Sequence, residues 1–244
     1  MKSAKKIISL IAVMSLLVTS FCAFSVSTAS AATTTVKMHS TEINYTGRGY
    51  TSRNVYIAVK NPASNAKVYV HYQTYEGQAW SDAQATKTNL KASDGSTIWT
   101  ATFGSFSTKY AIKYVGGGKT LWDNNGGKDY TYQSIGNGVN VKAEPSFSSL
   151  YGTSYNVVAC VRNIAYQKTV KAKYTTDNWK TTKYATLTFS NMNDFDNSER
   201  WTGTISGVKN PANFKFAIVY TVSGKTYTDN NFGRYYNGNH YTNH

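Results

Sequence analysis

Three of the five tryptophans lie in polar stretches of the chain rather than in apolar runs. Trp80 and Trp179 follow polar loop residues, and Trp122 precedes a turn. An indole in such a setting offers a flat apolar face that can stack on polarised C–H groups of a ligand. Two Asp-Asn-Asn segments add amides, which both donate and accept hydrogen bonds: Asn124, Asn125, Asn230 and Asn231. This combination supports noncovalent recognition of a neutral ligand that carries hydroxyl groups.

Catalytic and metal-binding patterns are not recognisable in the sequence. Hydrolysis of a glycosidic bond needs two carboxylates that flank it, but the 12 acidic residues are scattered. The Gly-x-Ser-x-Gly turn of serine hydrolases does not occur. The acidic segment 194–199 lacks the glycine and spacing of a calcium loop, and His240 and His244 lie in a Gly-Asn-rich tail. We expect no enzyme, no cofactor and no metal site.

The first 31 residues have the features of a secretory signal. Three lysines precede an apolar run from Ile7 to Phe24, and Ala29-Ser30-Ala31 provides small residues for cleavage. We expect cleavage after Ala31. No later apolar stretch reaches the ~20 residues that a membrane span needs. The mature protein is therefore expected to be secreted, without a membrane span.

Charge and cysteine content narrow the choice of partner. Residues 32–244 carry 23 basic and 12 acidic residues, a net charge of +11. The lysines are dispersed, and the aromatic-basic motifs of nucleic-acid readers are missing, so we expect no nucleic acid. Loose adhesion to an anionic cell wall remains open. Only Cys160 remains in the mature chain, in an apolar run typical of a strand, and we expect it in the core.

Two segments recur at nearly the same spacing. Asp123–Tyr130 returns as Asp229–Tyr236 after 106 residues, and Val59-Lys60-Asn61 returns as Val161-Arg162-Asn163 after 102. A repeat of this length corresponds to a small domain. The sequence therefore predicts two copies of one unit, at residues 34–134 and 139–244, with a short flexible joint at 134–138.

The apolar residues alternate with a period of two. Val55, Ile57 and Val59 alternate with other residues in the first unit, as Val157 and Val161 do in the second. Such alternation is typical of strands with one buried face. Turn residues separate the runs, and no amphipathic helix is predicted. We expect an all-β protein of two tandem antiparallel β-sandwiches. Trp99 and Trp201, each within a strand pattern, are expected in the core.

Four ordered motifs in the second unit resemble carbohydrate-binding module family 21, which binds starch and glycogen. They are the segments 161–168, 174–179, 216–218 and 224–231. The first unit resembles the family less, and keeps Val59-Lys60-Asn61, Trp80 and the segment 121–125. The resemblance implies immunoglobulin-like sandwiches that bind α-glucan on exposed aromatic residues, at up to two sites each.

One implied site uses a loop tryptophan, an aromatic residue before Asp-Asn-Asn and an aromatic residue on a strand. The first unit supplies Trp80 and Trp122 but has Ala111 on the strand, and Lys113 nearby is an additional donor. Of these three aromatic residues, the second unit has only the loop tryptophan, Trp179. The other implied site uses the aromatic residue after Asn-Ile-Ala, which is Tyr166 in the second unit. The first unit lacks it.

The function implied is that of a secreted, non-catalytic protein that binds an α-1,4-glucan, starch or glycogen, as a monomer. Members of the family also target a phosphatase to glycogen inside cells. The signal and the missing basic-Val-x-Phe docking motif argue against that role here. The alternative is a cell-surface or wall-associated adhesin that binds another glycan or a protein.

Overall fold

The computed structural model describes residues 32–46, 49–104, 109–131, 135–144, 149–151, 153–192 and 197–237. The predicted signal at 1–31, the tail residues 238–244 and residues 194–196 of the acidic segment lie outside this range. Within it every regular element is a β-strand or a short 3-10 turn. No helix in the described ranges is long and apolar enough to cross a membrane. The predicted all-β class is confirmed.

The N-terminal half (residues 32–131) contains eight strands. They are β1 Thr35–Thr46, β2 Gly49–Lys60, β3 Lys67–Gln73, β4 Ser81–Gln84, β5 Thr86–Lys91, β6 Thr97–Gly104, β7 Lys109–Gly116 and β8 Lys119–Asp123. They form two antiparallel sheets, with the strand orders β1-β2-β6-β5 and β4-β3-β7-β8. The predicted alternation holds on β3, where Val68 and Val70 are buried while Tyr69 and His71 are only partly covered.

The C-terminal half (residues 139–237) contains ten strands. They are β9 Val141–Ala143, β10 Ser149–Tyr151, β11 Ser154–Arg162, β12 Lys168–Thr175, β13 Lys183–Thr186, β14 Thr188–Met192, β15 Ser198–Ile205, β16 Lys215–Val222, β17 Lys225–Asp229 and β18 Tyr236–Asn237. One antiparallel sheet has the order β10-β11-β15-β14, with β9 also on β11. The other has the order β13-β12-β16-β17, with β18 also on β16.

Each half has its own apolar core, to which both of its sheets contribute. In the N-terminal half Ile57 of β2 shares a cluster with Val70 and Ile112 of the other sheet. In the C-terminal half Val157 of β11 shares a cluster with Ile218 of β16. Burial of such side chains contributes roughly 1.5–3 kcal/mol each and is the main source of stability in the described sheets, where the one cysteine is free. The described sheets are thus packed as β-sandwiches.

Two of the three predicted core residues are buried. Cys160 is enclosed on β11, where its Sγ contacts Ser198 Oγ at 3.2 Å, and Trp99 is buried on β6. Trp201 differs from the prediction. Its indole packs against the core but remains partly exposed, because it lies on β15 next to the edge strand β14.

The two Asp-Asn-Asn segments close each half by the same set of bonds. Asp123 accepts hydrogen bonds from the backbone N–H of Met38 and from the Tyr130 phenol, each at 2.7 Å. Asp229 accepts the equivalent bonds from Ala143 and Tyr236, also at 2.7 Å. A buried carboxylate needs such donors to offset its desolvation. The aspartates therefore tie the end of each half to its first strand.

The joint predicted at 134–138 is held in place rather than free over its described residues. Ile135 is buried, and the N–H groups of Gly136 and Gly138 donate to the carbonyls of His39 and Met38. A Cβ at Gly136 would lie 2.3 Å from the Met38 carbonyl oxygen, so only glycine permits this approach. The connecting segment (residues 135–138) therefore packs on β1.

Side chains of the C-terminal half also pack directly on the N-terminal half. The ring of Phe232, in the turn after β17, lies 5.0 Å from the ring of His39 and 5.5 Å from that of Tyr56. Lys142 is buried, with its ammonium 3.2 Å from Glu42 Oε1 and 2.8 Å from the Tyr236 hydroxyl. An enclosed, paired lysine and an aromatic contact together define a fixed interface between the halves.

Candidate carbohydrate-binding sites

The outer face of the β4-β3-β7-β8 sheet brings two of the predicted tryptophans together around a histidine. Trp122 on β8 stands opposite Lys113 on β7, and His71 on β3 stands opposite Asp82 on β4. Trp80 lies in the connection just before β4. The two pairs lie in neighbouring register rows, which cross β7 at Lys113 and at Ala111. Because residues two apart on a strand point to the same face of a sheet, these side chains meet outside the core.

The rings of Trp80, His71 and Trp122 form a continuous surface, the aromatic shelf. His71 is stacked on Trp80, with ring centroids 4.8 Å apart and planes 10° apart. Trp122 meets His71 edge-on, at 5.3 Å and 74°. Trp80 is 37% exposed and Trp122 is 48% exposed. The two indoles therefore offer accessible faces that are steeply inclined to each other.

An ion-paired group supports the shelf from below. Asp82 is 2.6 Å from His71 Nδ1 and 3.1 Å from the Lys113 ammonium. Partial burial raises the pKa of the Asp82 carboxyl, but the hydrogen bonds from His71 and Lys113 outweigh it and the net pKa is lowered. The ammonium of Lys113 also lies 5.6 Å from the Trp122 ring centre. The predicted donor Lys113 is thus at the site, and it holds Asp82 and Trp122.

The four predicted amides mainly build the turns that carry the aspartates. Asn124 and Asn230 accept N–H bonds through Oδ1 from Gly127 and Gly233, in the turns that follow. Asn125 donates to the Asp129 carbonyl, and adopts a positive φ that asparagine tolerates.

Asn231 does not fit the predicted ligand-binding role. It is 4% exposed, and its Oδ1 accepts a bond from Arg234 at 3.1 Å. Its Nδ2 donates to the Tyr235 carbonyl at 3.4 Å. Both the oxygen and the nitrogen of the Asn231 amide are hydrogen-bonded within the turn. We therefore assign Asn231 a structural role rather than a ligand contact.

The C-terminal half does not repeat the aromatic shelf. Thr228 and Lys173 occupy the register positions of Trp122 and His71. Trp179 is half-buried against Tyr235, with ring centroids 4.6 Å apart, and its indole N–H finds no hydrogen-bond partner among the described residues. Its loop is fixed by Asp177, whose pKa is lowered to about 2 by hydrogen bonds from Thr175 and from Thr181. Trp179 thus offers a smaller free surface than Trp80.

A separate groove opens on the C-terminal half, beside the predicted residue Tyr166. Its volume is about 1340 Å³, and Phe189, Met192 and Trp201 line it with Tyr166. Tyr166 is 98% exposed, and Phe189 stands opposite Trp201 in the register of β14 and β15. The Phe189 and Trp201 rings are 6.1 Å apart and nearly perpendicular. The groove therefore has aromatic faces in several orientations.

A chain of polar contacts fixes the floor of this groove. The Trp201 indole N–H donates to Glu199 Oε2 at 2.8 Å, and Glu199 pairs with Lys168. Lys168 also donates to Asn163 Oδ1 at 2.7 Å. Because the carboxylate is held on both sides, the indole orientation is set before any ligand arrives. Such a preformed site loses little conformational freedom on binding.

The sequence did not reveal three residues of these sites. His71 and Phe189 are not among the predicted candidates, and Trp201 is expected in the core rather than in the groove. His71 follows the buried Val70 on β3, so period-two alternation places its side chain on the outer face of the sheet. Phe189 lies on a strand whose residues are all exposed, so it has no alternation to detect. In both cases the partner ring comes from another strand, and the sequence does not give the register.

The carbohydrate/starch-binding module (family 21) profile matches residues 140–239. A search of curated proteins finds no match. Among solved structures, the starch binding domain of Rhizopus oryzae glucoamylase, in complex with beta-cyclodextrin and maltoheptaose, is 32% identical. That match covers 41% of this chain and 92% of the domain, with a TM-score of 0.36.

Two further structures are similar to a comparable share of this chain. The carbohydrate-binding module of the muscle glycogen-targeting subunit of Protein Phosphatase-1 is 24% identical, over 40% of this chain and 73% of that one, with a TM-score of 0.33. A circularly permuted module of family 21 is 28% identical, over 43% and 100%, with a TM-score of 0.31. The profile and the 32% identity over nearly all of the glucoamylase domain agree. Through residues 140–239, the chain therefore belongs to carbohydrate/starch-binding module family 21.

Proposed function

We propose that this protein is a secreted, non-catalytic binder of α-1,4-glucan of the starch or glycogen type. The observation that carries the proposal is the groove within the family segment, where Tyr166, Phe189 and Trp201 present aromatic faces beside a fixed polar floor. Pyranose rings have apolar C–H faces that stack on such rings. Shallow sites of this kind bind in the range of about 10 μM to 1 mM.

The two halves act as tandem immunoglobulin-like modules, at residues 34–134 and 139–244. Support comes from the equivalent strand orders of the sheets and from the recurring Asp–Tyr bond. The groove serves the second module, and the aromatic shelf serves the first. When one site holds a polymer, the other samples it at an effective concentration of order millimolar. A monomer with two weak sites can thus be retained on an insoluble granule.

In this proposal, residues 1–31 are a signal that directs export of the protein. Binding of the polysaccharide needs no cofactor, no metal and no nucleic acid. Among the described residues, no group of three or more His, Cys, Asp or Glu could hold a metal ion. The proposed role is attachment to a polysaccharide, with the chemistry left to other proteins.

Retention on insoluble polysaccharides tests the function. The mature chain is mixed with granular starch, cellulose and peptidoglycan, and the bound fraction is measured. We expect retention on starch only, and its loss when Tyr166→Ala and Phe189→Ala are combined with Trp80→Ala and Trp122→Ala. Circular dichroism checks that the variants are folded. Retention on peptidoglycan rather than starch would favour the adhesin alternative, and unchanged starch retention in the quadruple variant would refute both proposed sites.

A further inference from the structure

The ring between the two exposed indoles of the N-terminal half belongs to a histidine. His71 has one face against Trp80 and contacts Trp122 edge-on, while its side chain remains 29% exposed. A residue that only filled space between two indoles would not need polar ring atoms. The position of those atoms therefore decides whether His71 has a further role.

The hydrogen bond to Asp82 sets the tautomer of this histidine. Nδ1 is 2.6 Å from Asp82 Oδ1, and the carboxylate is held in turn by Lys113 at 3.1 Å. A carboxylate only accepts, so Nδ1 carries the proton and Nε2 is left as an acceptor in the neutral ring. No group among the described residues hydrogen-bonds Nε2. An oriented acceptor thus lies between two stacking surfaces.

The register explains why the ring fits there. His71 stands directly opposite Ala111 of β7. The methyl side chain of Ala111 leaves room on the outer face, and the imidazole occupies the surface beside it. The same pair of positions in the C-terminal half holds Lys173 and Ala217, so this half has no ring at that point. The feature is specific to the N-terminal half.

We infer that His71 contacts the ligand directly, with its ring as the middle element of the shelf and Nε2 accepting a hydroxyl hydrogen bond from a bound sugar. The inference rests on the proposed function and adds a specificity-determining residue to it. The ligand class is an α-1,4-linked glucose oligomer. Its curved chain can place successive rings on two inclined indoles, whereas a straight β-1,4 chain favours coplanar ones. A buried or fixed acceptor that a ligand fails to satisfy disfavours that ligand.

Titration of the full mature chain tests this role in a background of Tyr166→Ala and Phe189→Ala, which removes the groove. Maltoheptaose and cellohexaose are added at pH 7.5 and binding is measured by calorimetry. His71→Phe keeps a flat ring but lacks Nε2, and we expect about fivefold to tenfold weaker binding of maltoheptaose. His71→Ala removes the ring as well and should weaken binding further. Lys87→Ala, an exposed residue on the other sheet, is the control and should bind as the background does.

A spectroscopic readout separates contact from mere support of the tryptophans. In ¹H–¹⁵N correlation spectra of the imidazole rings, saturation with maltoheptaose should shift the His71 Nε2 resonance in the direction of a nitrogen that accepts a hydrogen bond. The His71→Phe spectrum assigns the signal. Unchanged affinity in both His71 variants, or an unmoved Nε2 resonance in the saturated protein, would overturn the inference.

The same experiment separates this inference from the proposed function. If the unsubstituted chain binds maltoheptaose but the groove-deficient background does not, the shelf is not a site. The inference then fails while the proposed function stands. If neither form binds any α-glucan, both fail.

Discussion

The Tyr236 phenol donates a 2.7 Å hydrogen bond to the carboxylate of Asp229, seven residues earlier. Tyr130 and Asp123 make the same bond at the same distance. Burial and the neighbouring carboxylate raise the pKa of Tyr130, so its phenol remains a donor throughout the neutral pH range. Each aspartate also accepts a hydrogen bond from the first strand of its half. The same arrangement of bonds therefore joins the last turn to the first strand in both halves.

Replacement of this aspartate should be costly. Asp229→Ala leaves the Ala143 N–H and the Tyr236 hydroxyl without their acceptor in a buried setting. We expect the free energy of unfolding to fall by about 3 kcal/mol, since bonds to a charged acceptor contribute more than neutral ones. Urea denaturation measures the change. Thr228→Ala, an exposed neighbour on β17, should change stability by less than about 0.5 kcal/mol. Equal effects of the two variants would contradict the assigned role.

Stability should fall in acid partly through His39. Burial, with the charge of Lys142, lowers the pKa of His39 from 6.5 to about 4. The folded chain therefore keeps this ring neutral while the unfolded chain protonates it. The contribution is complete above pH 6.5 and is lost as the pH falls towards 4, up to about 3 kcal/mol. His39→Leu should thus show a smaller loss between pH 7 and pH 4.5 in urea titrations. Parallel pH curves for the two proteins would disprove this.

The contact made by Phe232 should couple the unfolding of the two halves. Its ring packs on His39 and Tyr56, and Phe232→Ala removes both contacts. We expect a loss of about 2 kcal/mol and a broader or divided thermal transition, because the halves then depend less on each other. Differential scanning calorimetry shows this directly. Tyr184→Ala, at an exposed position on β13, should leave a single transition.

The groove should depend on a residue that has no part in stability. Tyr166 is 98% exposed, so Tyr166→Ala should leave the melting temperature unchanged. We expect its affinity for maltoheptaose to fall about tenfold in the Trp80→Ala, Trp122→Ala background, which corresponds to about 1.4 kcal/mol. Calorimetric titration measures the loss. An undiminished affinity would place the ligand elsewhere on this half.

Glu199 offers a sharper test of the same groove. Glu199→Gln keeps an acceptor for the Trp201 indole but breaks the pair with Lys168. The indole then loses part of its fixed orientation, and we expect about threefold weaker binding of maltoheptaose, with most of the fold retained. The affinity is measured by following tryptophan fluorescence during titration with maltoheptaose. A wild-type affinity would show that the polar floor does not matter for binding.

The strands and the exposed tryptophans were accessible from the sequence for local reasons. Alternation on β3 depends only on neighbouring residues, and the polar surroundings of Trp80 reflect its loop. Residues 157–161 of β11 are instead buried on both faces, which the alternation of Val157 and Val161 did not predict. The turn role of the asparagines also follows from local bonding. Asn231 was harder, because its burial depends on Arg234 and Tyr235 closing over it.

The remaining features depend on contacts between distant segments. The meeting of His71 with Trp122, and of Phe189 with Trp201, is set by strand register, which one sequence does not reveal. The connecting segment reads as flexible from its small polar residues. Its two glycines instead permit close packing on β1, an outcome visible only when Met38 is in place.

The contact between the halves has a direction. Phe232 follows Asp-Asn-Asn in the second turn, but Gly126 stands at that point in the first. Only the second turn therefore carries a side chain that packs across the interface. The interface is therefore asymmetric: the C-terminal half supplies the inserted ring, and the N-terminal half supplies the His39 and Tyr56 rings that receive it. The turn after β8 has no side chain at the equivalent position, so it cannot make the same contact with another surface.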